Sequence, residues 1–469
     1  MKLPNKKSLI LCIYCFLILF NGVAQDVEKI ELNEEGRLLA TLPMGKGIAF
    51  VINHKNEIKV INYSDNFSKE WSAKIEQEYK DFTQPVIETI TSPSGNYLYT
   101  VQIASNGYHN KTHYISKIDS EGKLTQYEIE GRDEFGKELQ TIFCNDNNFY
   151  YLATDNGNQN HDKKKRDEKL ILNTFNKDNF SHSRKLLDLP AVEGEKEIFW
   201  EFIGLNDSEF FLASKKVDEE KNISEVNVIS FDAKGNKKEN FTLNVKLDNA
   251  FIRPTRLDKI HARIFSDQAN LDYTVNNQSR AIYPTYGGFT GIYFEGNHIY
   301  LYGLMGPGKF KKIAAKYEGA YVIKYDLKGN QIWKKELTDN AEMVENKHFN
   351  VHATPGLRGL SFIVLPDGTV NVAVNVAGRM SASYYRFIIS PDGSNSKVQN
   401  VDNIRKNSEF ALVSHYDDHK NYGKQFVKTT DVGDERGTVF GNMFYNDLEV
   451  LYELNIRDKE IQSIYLLKK

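Results

Sequence analysis

The sequence predicts an all-β chain built from repeated four-stranded units, and three observations predict it. Hydrophobic periodicity is mostly two, in short runs such as NYLYTVQI, EFFLASKKV, TVNVAVNVAG and HIYLYGLM, which is the spacing of half-buried strands. A tight-turn signature of Asp, Asn, Ser or Gly recurs at Ser64, Asp119, Asn176, Asp232, Asp326, Ser390 and Arg457, at a near-constant interval with one wider gap before Asp326. A second turn family falls inside most units, at Ser92, Asn145, Asn206, Glu295, Pro366 and Tyr445. Each unit therefore offers four strands, a to d, with short turns after a and c. Seven such units around an axis make a seven-bladed β-propeller of four-stranded antiparallel blades. A pair of β-sandwiches would not give a period that spans the chain.

The chain begins MKLPNKKSLILCIYCFLILFNGVAQ. A basic start, an apolar run and the small residues Gly22-Val23-Ala24 read as a signal peptide over 1–24, too short and wrongly flanked for a lasting span. A retained anchor is the alternative. Leu11 and Tyr14 precede Cys12 and Cys15, where a lipobox needs a small residue, so no lipid anchor is expected and the compartment is secreted or periplasmic. Residues 25–469 then form one propeller domain. Losing Lys2, Lys6 and Lys7 takes the formal charge from −3 to −6, which gives no reason to expect nucleic acid. No later segment is apolar enough to insert in a membrane. Only Cys144 survives processing, so stability must come from a core rather than a disulfide. The 26 Tyr and 28 Phe suit pleated, half-buried surfaces.

Taken in order, the c–d turns are VINYSDNFSKEW, ISKIDSEGKLTQYEI, TFNKDNFSHSRKL, VISFDAKGNKKENFTL, YVIKYDLKGNQIWKKEL, FIISPDGSNSKVQ and YELNIRDKEIQSIYLL. Asp, Asn and Gly recur because a tight hairpin needs side-chain-to-backbone bonds and one position with positive φ. The chain is expected to end on a d strand, SIYLLKK. The run VEKIEL (27–32) is expected to pair with the last blade and cover an edge that would otherwise invite aggregation.

The a–b and c–d turns, on one face, are uniformly short. The opposite face holds the elaborations: ASNGYHNKTH, TDNGNQNHDKKKRDEK, an insertion over 244–290, GPGKFKKIAAKYEGA, 338–356 and 401–437. Binding sites are commonly built of loops on a rigid scaffold, so this asymmetry is the main functional signal, with neutral loop growth as the alternative. Within the insertion, residues 256–271 have helical spacing, with Leu257, Ile260 and Ile264 on one side.

YDLKGNQIWKKEL resembles the outer-strand motif of quinoprotein-like and BamB-like propellers, with Asp326, Gly329 and Trp333 in the matching positions. Tyr63 and Trp71 match partly and the other five units lack the Trp. The resemblance implies the fold and no pyrroloquinoline quinone site, and no cofactor is expected. A secreted propeller rich in Asn, Lys, Ile and Tyr also resembles uncharacterised propeller proteins of Bacteroidetes-type bacteria, which implies fold and compartment only.

Arg253 and Arg256 would meet carboxylates or sulfates bidentately, and Tyr283 and Tyr286 would stack on sugar rings. The alternative is a helical lid whose tyrosines pack on the blade. His348 and His352 lie four apart in a neighbouring loop. In HYDDH, His415 and His419 would share a face on a helix, and His415, Asp417 and His419 would share one on a strand, which makes them weak candidates for Zn²⁺ or Mn²⁺; such polar loops are usually just solvated. No phosphate loop, HExxH, nucleophile elbow or CxxC appears. The expected function is a monomeric binding or scaffolding module for a protein or glycan partner. A polysaccharide lyase or glycoside hydrolase with its site at the channel mouth is the alternative.

Overall fold

The structure, a computed structural model, describes residues 27–30, 37–66 except 55–56, 68–76, 86–106, 110–130, 138–154, 169–190, 200–218, 223–253 except 249, 290–306, 319–337, 360–364, 367–377, 382–400, 423–427, 438–445, 448–455 and 461–468. Among them there is no helix. After β1 (Val27–Ile30), blade 1 is β2 (Arg37–Met44), β3 (Gly47–His54), β4 (Glu57–Tyr63) and β5 (Lys69–Glu76). Blade 2 is β6 (Val86–Thr91), β7 (Tyr97–Asn106), β8 (Asn110–Asp119) and β9 (Leu124–Glu130). Blade 3 is β10 (Glu138–Cys144), β11 (Asn148–Thr154), β12 (Leu170–Asn176) and β13 (His182–Leu186). Blade 4 is β14 (Glu201–Leu205), β15 (Glu209–Asp218), β16 (Ile223–Asp232) and β17 (Lys237–Lys246). Blade 5 is β18 (Phe251–Arg253), β19 (Gly291–Glu295), β20 (His298–Gly306), β21 (Gly319–Asp326) and β22 (Gln331–Leu337). Blade 6 is β23 (Leu360–Val364), β24 (Val370–Ala377), β25 (Ala382–Ile389) and β26 (Ser396–Asn400). Blade 7 is β27 (Gly423–Val427), β28 (Thr438–Tyr445), β29 (Leu448–Asn455) and β30 (Ile461–Lys468), with β1 added.

Every pairing within these sheets is antiparallel, and the sheets pack face to face through apolar side chains. Val51 and Val60 meet Leu98 and Ile118 between blades 1 and 2. Tyr99 and Val101 meet Phe149 and Tyr151 between blades 2 and 3. Leu152 and Leu172 meet Phe210 and Phe231 between blades 3 and 4, Val228 meets Ile323 between 4 and 5, and Tyr302 meets Phe362 between 5 and 6. Period-two strands produce this because each offers one apolar row to each neighbour. The first strands touch around the ring, β2 with β6, β6 with β10, β14 with β19, and β19 with β23. That is the β-propeller arrangement, with first strands lining the axis.

The recurring turns have one chemistry. Asp326 Oδ1 accepts from the N–H of Lys328 and Asn330 at 2.9 and 2.8 Å, while Gly329 N–H donates to the Asp326 carbonyl at 3.1 Å. Asp232 repeats it with Lys234, Asn236 and Gly235. Gly122, Gly235, Gly329 and Gly393 all have positive φ, and Phe180 takes that conformation in the third blade at φ 54°. A left-handed residue after the turn lets the strand re-enter its ladder without splaying.

The seventh blade confirms one expectation and corrects another. Val27–Ile30 pairs with Leu467–Ile464, so the N-terminal run does join the last blade. The final strand is not that blade's edge, however, because β30 lies between β29 and β1. The first strand of blade 1 touches β28, which places β28 in the axis-lining position. The Tyr445 turn is then an a–b turn like its relatives, the Arg457 turn joins b to c, and β1 supplies d. The period misled because the C-terminal unit is one strand short and borrows it from the other end of the chain. The remaining strand, β27, arises inside the expected loop 401–437 and pairs with β28 on the side away from β29.

Candidate binding face

The turns on one face are short and closed by their own hydrogen bonds. Ser92 N–H donates to the Tyr97 carbonyl at 2.8 Å, and Asn145 N–H to Asn148 at 3.0 Å. Neighbouring blades are stitched there as well, with Ser94 N–H donating to Asp146 Oδ1 at 3.1 Å. The strand ends that the longer connections join lie at the opposite face. One expected loop there is mostly strand: β7 and β8 pair through Ser105 with Lys111 and Asn106 with Asn110, which leaves only 107–109 between them. Thr112, His113 and Tyr114 extend the ladder because β-branched and aromatic residues suit it.

The most distinctive geometry is in blade 5. Both β18 and β19 pair with the same edge of β20: Ile252 lies opposite Met305 and Arg253 opposite Leu304, while Gly291 lies opposite Tyr302. The inner strand is therefore split, and residues 254–289 leave and rejoin the chain at the axis side of the blade. Pro254 ends β18, since proline has no N–H for a ladder. A three-residue strand before a proline carries little sequence signal, which is why β18 escaped the periodicity.

Both roots are fixed. On the way in, Ala250 and Ile252 are buried in the core shared by blades 4 and 5. Asp248 N–H donates to Glu336 Oε1 at 2.9 Å, and Lys334 Nζ lies 2.7 Å from Asp248 Oδ2 and 3.2 Å from Glu336 Oε1. Burial pulls the Lys334 ammonium down, but these two carboxylates outweigh it and hold its pKa above the usual lysine value. On the way out, the buried Thr290 hydroxyl donates to Ser224 Oγ at 3.0 Å and lies 2.8 Å from Tyr321 OH. Gly291 follows because a side chain there would meet the Tyr302 ring at 2.3 Å. Three polar groups brought together from different blades leave no sequence motif, so this network was not foreseeable.

Of the expected site residues, Arg253 is placed in β18. Arg256, Tyr283, Tyr286, His348, His352, His415, Asp417 and His419 lie outside the described residues, as do the helix expected over 256–271 and the signal segment. Among the described residues no three His, Cys, Asp or Glu gather as a metal site would require, and no helix is long and apolar enough to cross a membrane.

No protein family model matches the chain, and no curated protein sequence does. Among solved structures it is similar to a prolyl endopeptidase at TM-score 0.44 and 11% identity, over 93% of this chain and 51% of that one. The chain thus spans about half the length of that protein. It is also similar to the β-propeller domain of the Trilobed protease from Pyrococcus furiosus, at TM-score 0.39 and 12% identity, over 91% and 96% of the two chains. An uncharacterized protein from Listeria monocytogenes gives TM-score 0.42 and 8% identity, over 93% and 97%. Likeness at this level carries no functional argument, and the fold rests on the sheets themselves.

Proposed function

We propose that this propeller is a secreted or periplasmic binding module whose long-connection face takes a protein or glycan partner. The observation that supports it is the split inner strand of blade 5. A large segment is inserted at the wall of the axis, and both of its ends are held by buried contacts. Rigid roots under a long connection are the arrangement of a binding loop on a scaffold. Arg253 and Arg256 would engage carboxylate or sulfate groups, and Tyr283 and Tyr286 would stack on rings.

The test is a glycan array with acidic and neutral oligosaccharides, run on the native chain and on one in which residues 254–289 are replaced by a short Gly/Ser linker. Both should melt alike and only the native chain should retain acidic glycans. Equal retention by the two, or none by the native chain, counts against a glycan partner at this face.

A further inference from the structure

Among the described residues, the buried polar side chains are not spread evenly over the blade interfaces. Along β7, Leu98, Thr100 and Gln102 share one side, and Leu98 packs on blade 1. Ser116 on β8 lies opposite Thr100, and Thr91 on β6 lies opposite Leu98, so both belong to that side too. Across the gap, Asn53 continues the row of Ala49 and Val51, and Asn62 continues the row of Ile58 and Val60. Thr100, Gln102 and Ser116 are fully buried, and Thr91 and Asn62 nearly so.

Most of these polar atoms are orphaned. Asn53 Oδ1, Asn62 Oδ1, Thr91 Oγ1, Thr100 Oγ1 and Ser116 Oγ are buried with no hydrogen-bond partner among the described residues. The Asn62 amide nitrogen does donate, to Glu70 Oε2 at 2.7 Å, which leaves its oxygen turned the other way. By contrast, the polar groups between blades 4 and 5 satisfy one another, as Thr290, Ser224 and Tyr321 do. Burying a hydroxyl or amide oxygen without a partner leaves its lost hydration uncompensated, so several on one interface would be a heavy penalty if nothing met them. The small Ala49 and Ala73 on the blade 1 side leave room opposite the polar row.

We propose that blades 1 and 2 meet across a hydrated seam, an internal site for ordered water running from Asn62 and Thr91 at the short-turn end toward Asn53 and Gln102. Water is the guest that fits, because the orphaned atoms are neutral oxygens: amide carbonyls that accept, and hydroxyls that either donate or accept. A buried water typically makes about three such bonds. An anion would face the amide carbonyls, and a divalent cation would find no carboxylate among these five atoms.

Two measurements test it. Thr100→Val and Ser116→Ala each remove an orphaned hydroxyl. If the seam is hydrated, each variant loses bonds to water and lowers the melting temperature; if it is dry, each relieves a penalty and raises it. A crystal structure of the intact chain at better than about 2 Å should show water within hydrogen-bond distance of Thr100 Oγ1 and Ser116 Oγ. Raised melting temperatures overturn the proposal, and so does density showing these hydroxyls bonded to side chains of the chain itself. Should a variant fail to fold, the density alone decides.

Discussion

Trp333, on the outer strand of blade 5, lies against Gly393 in the c–d turn of blade 6, and its indole N–H donates to the Pro391 carbonyl at 3.2 Å. A methyl on Gly393 would sit 2.7 Å from Trp333 Cγ. The same relationship joins Trp71 to Gly122, with the Trp71 indole donating to the Ser120 carbonyl at 2.9 Å, and joins Phe241 to Gly329. Gly393→Ala should therefore cost more than the about 1–2 kcal/mol of a left-handed alanine. Gly296→Ala, also at positive φ but with open space around it, should cost only that amount. Equal losses in urea melts of the two variants would count against docking.

Phe180 tests the same contact where no glycine was used. Its left-handed backbone costs about 1–2 kcal/mol, but its ring stacks on Tyr127 at 3.7 Å and is nearly buried. Burial and stacking are worth about 2–4 kcal/mol together. Packing outweighs strain, so Phe180→Gly should destabilise, by up to about 3 kcal/mol. A stabilised variant would reverse that ranking.

The turn aspartates predict an acid transition. Hydrogen bonds from Asn330 and from backbone N–H groups hold Asp326 below the ordinary carboxylate value, and the Ser390 and Ser394 hydroxyls help bring Asp392 to about 2. At Asp232 burial opposes the shift, yet hydrogen bonds from Asn236 and Lys234 still lower it. A depressed folded pKa contributes stability above the unfolded value, and that stability is lost as pH falls through the folded one. The melting temperature should therefore fall from about pH 4 toward pH 2. Asp326→Asn should flatten that fall; an unchanged slope would remove Asp326 from the cause.

At the root of the insertion, Thr290→Val keeps the shape and deletes the hydroxyl shared by Ser224 and Tyr321. Leaving two buried hydroxyls short of a partner should cost about 1–3 kcal/mol. A melt matching wild type would show that the network does not hold the chain there.

Much of this architecture was legible in the residues. Asp326, Gly329 and Asn330 announce their turn because the bonds are local, and local bonds leave local patterns. Trp333 could be read from its motif as part of an outer strand, although its partner Gly393 lies a blade away. What escaped depended on distant partners: β18, defined only by its pairing with β20, and the place of β30, defined only once β1 lies beside it. The buried row of Thr100 and Ser116 looks like ordinary strand sequence until blade 1 is set opposite.

Ring closure underlies the rest, because a binding face exists only if the blades form a ring. Residues 27–30 close it by pairing with β30, so the thermal melt of a chain lacking residues 25–33 tests it most directly. A sharply lower melting temperature is expected, since β30 would become an open edge and blade 7 would lose its outer strand. A melting curve identical to that of the chain beginning at residue 25 would contradict closure by this strand.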